Sequence, residues 1–154
     1  MKTIRRILVL ALIAVVASSV AYADDKKIDY SALPVKALAF LETYFGKQPK
    51  VREVEMEREG YSVELRNGYD VKFDRDGKLI EVEAPSRRTV SQTIAKDVLP
   101  AKAMEYLQEK GVADRINDIE ILHNGDYLVE IDRIVNEYKL RFDSNGNVEK
   151  KRVR

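Results

Sequence analysis

Cysteine is absent from these 154 residues. That excludes a disulfide framework, a cysteine-bound zinc site and the acylated cysteine of a lipoprotein anchor. Histidine occurs once, as His123, which is too little for a multi-histidine metal site. No serine has a recognisable base beside it, so nucleophilic catalysis lacks its parts. Neither a Gly-rich phosphate loop nor a dinucleotide fingerprint can be traced through the seven glycines. A large excess of one charge is missing too, since 27 Lys and Arg face 26 Asp and Glu. A nucleic-acid binder normally gathers a basic excess on one face, and a membrane-surface protein carries a polybasic segment. Neither class fits. The apolar run "ILVLALIAVV" at 7–16 is also short of the roughly 20 residues that span a bilayer.

That run has a different explanation. A basic start, "MKTIRR", precedes it, and small residues ending in Ala21-x-Ala23 follow. This order is that of a secretory signal peptide, residues 1–23, with cleavage expected after Ala23. Export without a lipid implies the bacterial periplasm or secretion, with no membrane anchor after cleavage. Cleavage would remove Lys2, Arg5 and Arg6 and no acids, leaving 24 basic against 26 acidic groups. What remains is one ordinary domain, or two very small units that share a core.

The second option is written into the chain. Leu33-Pro34-x-Lys36-Ala37 recurs as Leu99-Pro100-x-Lys102-Ala103, and Tyr61-x-Val63-Glu64-Leu65 as Tyr127-x-Val129-Glu130-Ile131, both 66 residues on. Phe73-Asp74-x-x-Gly77 recurs as Phe142-Asp143-x-x-Gly146, 69 residues on. The three extra residues fall between Ile131 and Tyr138, where a turn is expected and insertions are tolerated.

Each copy opens with a helical pattern. Leu38, Leu41 and Phe45 lie at helical spacing, broadened by Ala37, Phe40 and Tyr44, and the second copy repeats this with Met104 and Leu107. Pro34 suits the first turn, Ser31 is the expected cap, and Gly46 and Gly111 are stops. The stretch "SRRTVSQTIAKDV" before the second copy reads as an extra connecting helix or turn. After each helix the period changes to two, as in Tyr61, Val63 and Leu65 or Tyr69, Val71 and Phe73, which marks antiparallel strands with one buried and one wet face. Asn67-Gly68 predicts a two-residue hairpin turn with positive φ at both positions. Asp76-Gly77 and Asn145-Gly146 predict further turns.

The fold class is therefore α+β: two tandem helix-plus-antiparallel-sheet repeats, residues 24–86 and 87–154, each a helix and four strands. One helix cannot cover four strands alone. Two units side by side would share a sheet, pack their helices on one face and leave the other open.

The run "LPVKALAFLETYF", then "YSVELRNGYDVKFDRDGKLIEVE", then the second "LP" resembles the PepSY-like, β-lactamase-inhibitor-like family over nearly the whole exported chain. The resemblance implies an exported protein that is not an enzyme, and a protein-binding or inhibitor-like module.

The residues themselves offer few chemical sites. His123 follows the parity of Ile119 and Ile121, which points it toward the helix side at the rim of a strand. "DRDG" and "DSNG" each hold an Asp that caps backbone N–H groups of a hairpin turn; a calcium loop would need a longer ligand series. Glu53, Glu55, Glu57 and Glu64 lie on the predicted open face with Asp70, Glu130, Arg66, Lys72, Lys139 and Arg141, where cross-strand charge pairing is expected. Excluding Asp70, these are the candidate partner-binding residues. No catalytic residue, metal ligand or cofactor is implied. The first expectation is a module that binds another extracytoplasmic protein or peptide through this charged face. The alternative is a periplasmic cation-binding or envelope-sensing protein that uses the acidic stripe. The C-terminal "VEKKRVR" puts basic residues on the last strand, which discourages sheet-to-sheet pairing and predicts a monomer.

Overall fold

The computed structural model describes residues 26–132 and 138–153. The expected signal peptide and its cleavage point lie outside them, as do residues 133–137, where the second copy carries its insertion. Among the described residues nine strands run β1 Lys26–Lys27, β2 Val51–Met56, β3 Gly60–Leu65, β4 Asp70–Asp74, β5 Leu79–Glu83, β6 Ile116–Ile121, β7 Tyr127–Ile131, β8 Tyr138–Phe142 and β9 Val148–Val153. Three α-helices among the described residues interrupt them: α1 Val35–Phe45 before β2, then α2 Gln92–Val98 and α3 Ala101–Glu109 between β5 and β6. All nine strands form one sheet in chain order, and each neighbouring pair is antiparallel. The shared sheet is as the duplicated pattern requires. The two-residue β1, which pairs with β2, is an addition that hydrophobic periodicity cannot signal in so short a segment.

One row of register partners shows where the core sits. Val54, Val63, Val71, Val82, Ile119, Val129 and Leu140 stand side by side from β2 to β8, and all are buried. Each such side chain contributes about 1.5–3 kcal/mol of burial. Above them lie the helices. Phe40 and Phe45 of α1 meet Phe73 and Tyr69 edge-on, with ring centroids 5.7 and 5.2 Å apart. Tyr106 of α3 meets Phe142 in the same way at 5.9 Å. α1 thus roofs the first copy and α3 the second. The Tyr44 hydroxyl of α1 donates to Asp97 of α2 at 2.9 Å, tying the connecting helix to the first roof.

The repeated motifs touch each other. Gly77 closes the β4–β5 hairpin with φ +80°, and a Cβ there would stand 2.7 Å from Pro34 Cβ and 3.0 Å from the Ala37 nitrogen. Gly146 meets Pro100 and Ala103 equivalently, at 2.9 and 2.8 Å. The Leu-Pro helix start and the Phe-Asp-x-x-Gly turn recur together because each glycine is the seat on which a helix N-terminus rests. In both turns the Asp carboxylate serves the backbone. Asp74 Oδ1 accepts from the N–H groups of Asp76 and Lys78, and Asp143 Oδ1 from those of Asn145 and Asn147, at 2.8–2.9 Å.

Two local expectations need correction. The Asn67-Gly68 turn has positive φ only at Gly68. Gly68 N–H donates to Leu65 O, and Leu65 N–H to Tyr69 O. This is the longer hairpin loop in which a glycine follows an ordinary turn, so Asn67 carries no strain. Ser31 does not cap α1. It lies within a 3₁₀ turn, Tyr30–Ala32, whose cap is Asp29, and Pro34 occupies the residue before α1. Proline supplies no side-chain acceptor there, but the hairpin packed on the helix start fixes its entry.

Candidate functional site: the open sheet face

On the face away from the helices, the same register lines up charge. Glu53 of β2, Glu64 of β3, Asp70 of β4, Glu83 of β5, Asp118 of β6 and Glu130 of β7 are successive cross-strand partners, and the row ends in Lys139 of β8. A parallel row runs Glu55, Ser62, Lys72, Glu81, Glu120, Leu128 and Arg141. Strand spacing of about 4.8 Å holds the six carboxylates of the first row closer than ionised like charges prefer. The period-two pattern causes this. Wherever the core face needs an apolar residue, its neighbour must point outward, and in copy one and in β6–β7 that neighbour is most often an acid, with Ser62, Lys72 and Leu128 as exceptions.

Cations bridge part of the field. Lys72 Nζ lies 2.6 Å from Glu81, Arg52 2.6 Å from Glu64, and Lys139 pairs with Glu130 and Lys27 with Glu53. Arg141 departs from the acidic row and binds Asp126 at 2.5 Å and Glu149 at 3.1 Å. Glu55 lies in the second row, and Glu57 follows the end of β2. Arg66 is not on the sheet face. It occupies the exposed turn after β3, because the strand closes at Leu65. His123 also leaves its expected place. β6 ends at Ile121, and His123 lies in the next turn, exposed, with Nε2 3.9 Å from Glu59.

Sequence reasoning missed the centre of this face as site residues: Glu81, Glu83, Asp118 and Glu120. Asp118 is 7% exposed, and its Oδ1 is buried without a hydrogen-bond partner. Burial, then the Glu81 and Glu83 charges, push its carboxyl up to about 8. Asp70 and Glu83 are also held above the usual carboxylate range, mainly by burial and then by neighbouring acids. The alternation in "LIEVE" and "INDIEI" was the available signal, but which strands lie side by side in the middle of the sheet is not local information. Grooves touch both rows, one beside Glu53 with Lys27 and Arg52 and one beside Glu120. One of about 380 Å³ is lined by Leu79, Ile80, Ile121, Leu122 and His123, among others. Among the described residues, no three acidic or histidine side chains already converge as a metal cage, and no helix is long and apolar enough to cross a membrane.

A family model described as "Putative beta-lactamase-inhibitor-like, PepSY-like" matches the chain twice, at residues 21–81 and 88–150. No curated protein matches. Among solved structures, a "putative calcium-regulated periplasmic protein" from Bacteroides thetaiotaomicron is 28% identical with a TM-score of 0.70, over 84% of this chain and 97% of that one. A "putative periplasmic protein" from Bacteroides vulgatus is 27% identical with a TM-score of 0.68, over 84% and 98%. Another from the same species, of unknown function, shares the fold at 21% identity and TM-score 0.70, over 84% and 99%.

Proposed function

Because the chain belongs to the PepSY-like, β-lactamase-inhibitor-like family, we propose that it is an exported, non-enzymatic module that binds another extracytoplasmic protein or peptide through its open sheet face. The observation that carries this reading is the in-register row from Glu53 to Glu130. Helices cover the opposite face, no helix among the described residues lies over the carboxylates, and the complementary partner is one with a basic surface. The periplasmic description of solved relatives supports the compartment. Charged faces of this kind set encounter rate and register, and salt screens them.

Capture from envelope extract tests it, with wild type beside a Glu64→Lys/Glu83→Lys/Glu130→Lys variant. The wild type should retain a stoichiometric partner at low salt and release it at high salt, and the variant should retain none. Equal retention by both proteins would contradict the reading.

Two observations favour a second reading, a cation-binding or sensing protein of the envelope. The acidic row holds a buried carboxylate with an unpartnered oxygen, and one solved relative carries the words "calcium-regulated". Titration calorimetry with calcium and with transition metals tests this. Silence at millimolar metal would remove it.

A further inference from the structure

We propose that Asp118, between Glu83 of β5 and Glu130 of β7, anchors a calcium site on the open face; this rests on the second reading above and gives it a location. Three adjacent strands bring the three carboxylates into one row through the register pairs Glu83–Asp118 and Asp118–Glu130. β6 bulges between Ile116 and Asp118, so two of its residues face one on β7. Asn117 takes up the slack by donating from its side-chain amide to Ala84 O and Arg88 O, at 3.3 and 3.2 Å. Asp118 is left at the bottom of the row, more than nine-tenths covered, with Oδ1 meeting no hydrogen-bond donor. A buried carboxylate oxygen without a partner is costly, and Glu83 and Glu130 flank it in register on the neighbouring strands.

The charged groups that act on Asp118 are Glu81 and Glu83 on β5, Glu130 on β7 and Lys139 on β8. Lys139 is itself paired with Glu130 and Lys72 with Glu81, so the neighbourhood stays acid-rich. Every donor is a carboxylate oxygen, which suits a hard cation. Calcium tolerates irregular coordination by several oxygens, whereas magnesium demands a tight octahedron. The carboxylates do not already converge, so the ion must draw Glu83 and Glu130 inward and release Glu130 from Lys139. That reorganisation sets the affinity in the weak range of extracellular calcium modules, about 10⁻⁴–10⁻³ M.

Calorimetric titration of the protein with calcium chloride at pH 7 tests the site, using wild type, Asp118→Asn, Glu83→Gln and, as a control on α3, Glu105→Gln. Wild type and E105Q should bind alike, and D118N and E83Q should bind at least about tenfold more weakly. Binding that D118N leaves unchanged would overturn this site and leave the cation reading standing. No binding by wild type at millimolar calcium would overturn both.

Discussion

Asp118 illustrates how one residue's chemistry is set by its neighbours across the sheet. In the unfolded chain it is an ordinary aspartate, and in the fold burial and the adjacent acids raise its pKa to about 8. The folded state therefore holds a proton that the unfolded state has released, from about pH 4 up to about pH 8. Its contribution to stability is fully present below the unfolded pKa and is lost as pH rises through that window, by up to about 1.4 kcal/mol per unit. Asp118→Asn, which cannot ionise, should flatten this slope and raise the melting temperature at pH 8 more than at pH 4. Thermal melts in calcium-free buffer across pH 4–9 check it, and a steeper slope in the variant would count against the assigned environment. Little of this was legible beforehand. In "INDIEI" the acid looks like any outward residue of an alternating strand; its neighbours across the sheet, Glu83 and Glu130, come from strands that local periodicity does not place beside it. His123 failed for a related reason, because parity holds only while the strand continues, and β6 stops two residues earlier.

At the scale of elements, the helix starts and hairpin turns were readable because they use residues with fixed stereochemistry. Gly77 shows what that requires. Its φ of +80° and the 2.7 Å approach of Pro34 leave no room for a side chain. Gly125 also has positive φ, +84°, but its nearest neighbour would be Ser144 Cβ at 3.8 Å. Gly77→Ala should therefore destabilise by at least about 1 kcal/mol more than Gly125→Ala, since only the first adds a clash with a helix start to the backbone strain. Paired urea denaturation curves would show it, and equal losses would mean that the hairpin and helix do not bear on each other. The Ser31 cap was misread because a serine before Leu-Pro looks like a helix N-terminus, while the 3₁₀ turn around it is too short to leave a periodic signal.

The whole molecule was the most legible level. A phrase written twice, with strand alternation and a helix in each copy, dictated one sheet roofed by helices, and the sheet keeps the strands in chain order. What the duplication hides is asymmetry between the copies. Asp70 and Lys72 on β4 correspond to Lys139 and Arg141 on β8, so the acidic field stops at β7. The sheet ends in the two-residue β1 and in β9, whose positions 150–152 are Lys, Lys and Arg. Basic residues on an edge oppose strand addition by a second copy, and the protein should sediment as a monomer at micromolar concentration. A tight dimer that persists in high salt would contradict that.

If the acidic sheet face meets the partner, carboxyl footprinting of the complex captured at low ionic strength will show it. Glu53, Glu64, Glu83 and Glu130 should be protected from labelling relative to the free protein, while Glu42 on α1 and Glu105 on α3 react as before. Protection confined to the helix carboxylates, or none on the sheet, would show that the open face is not the binding surface.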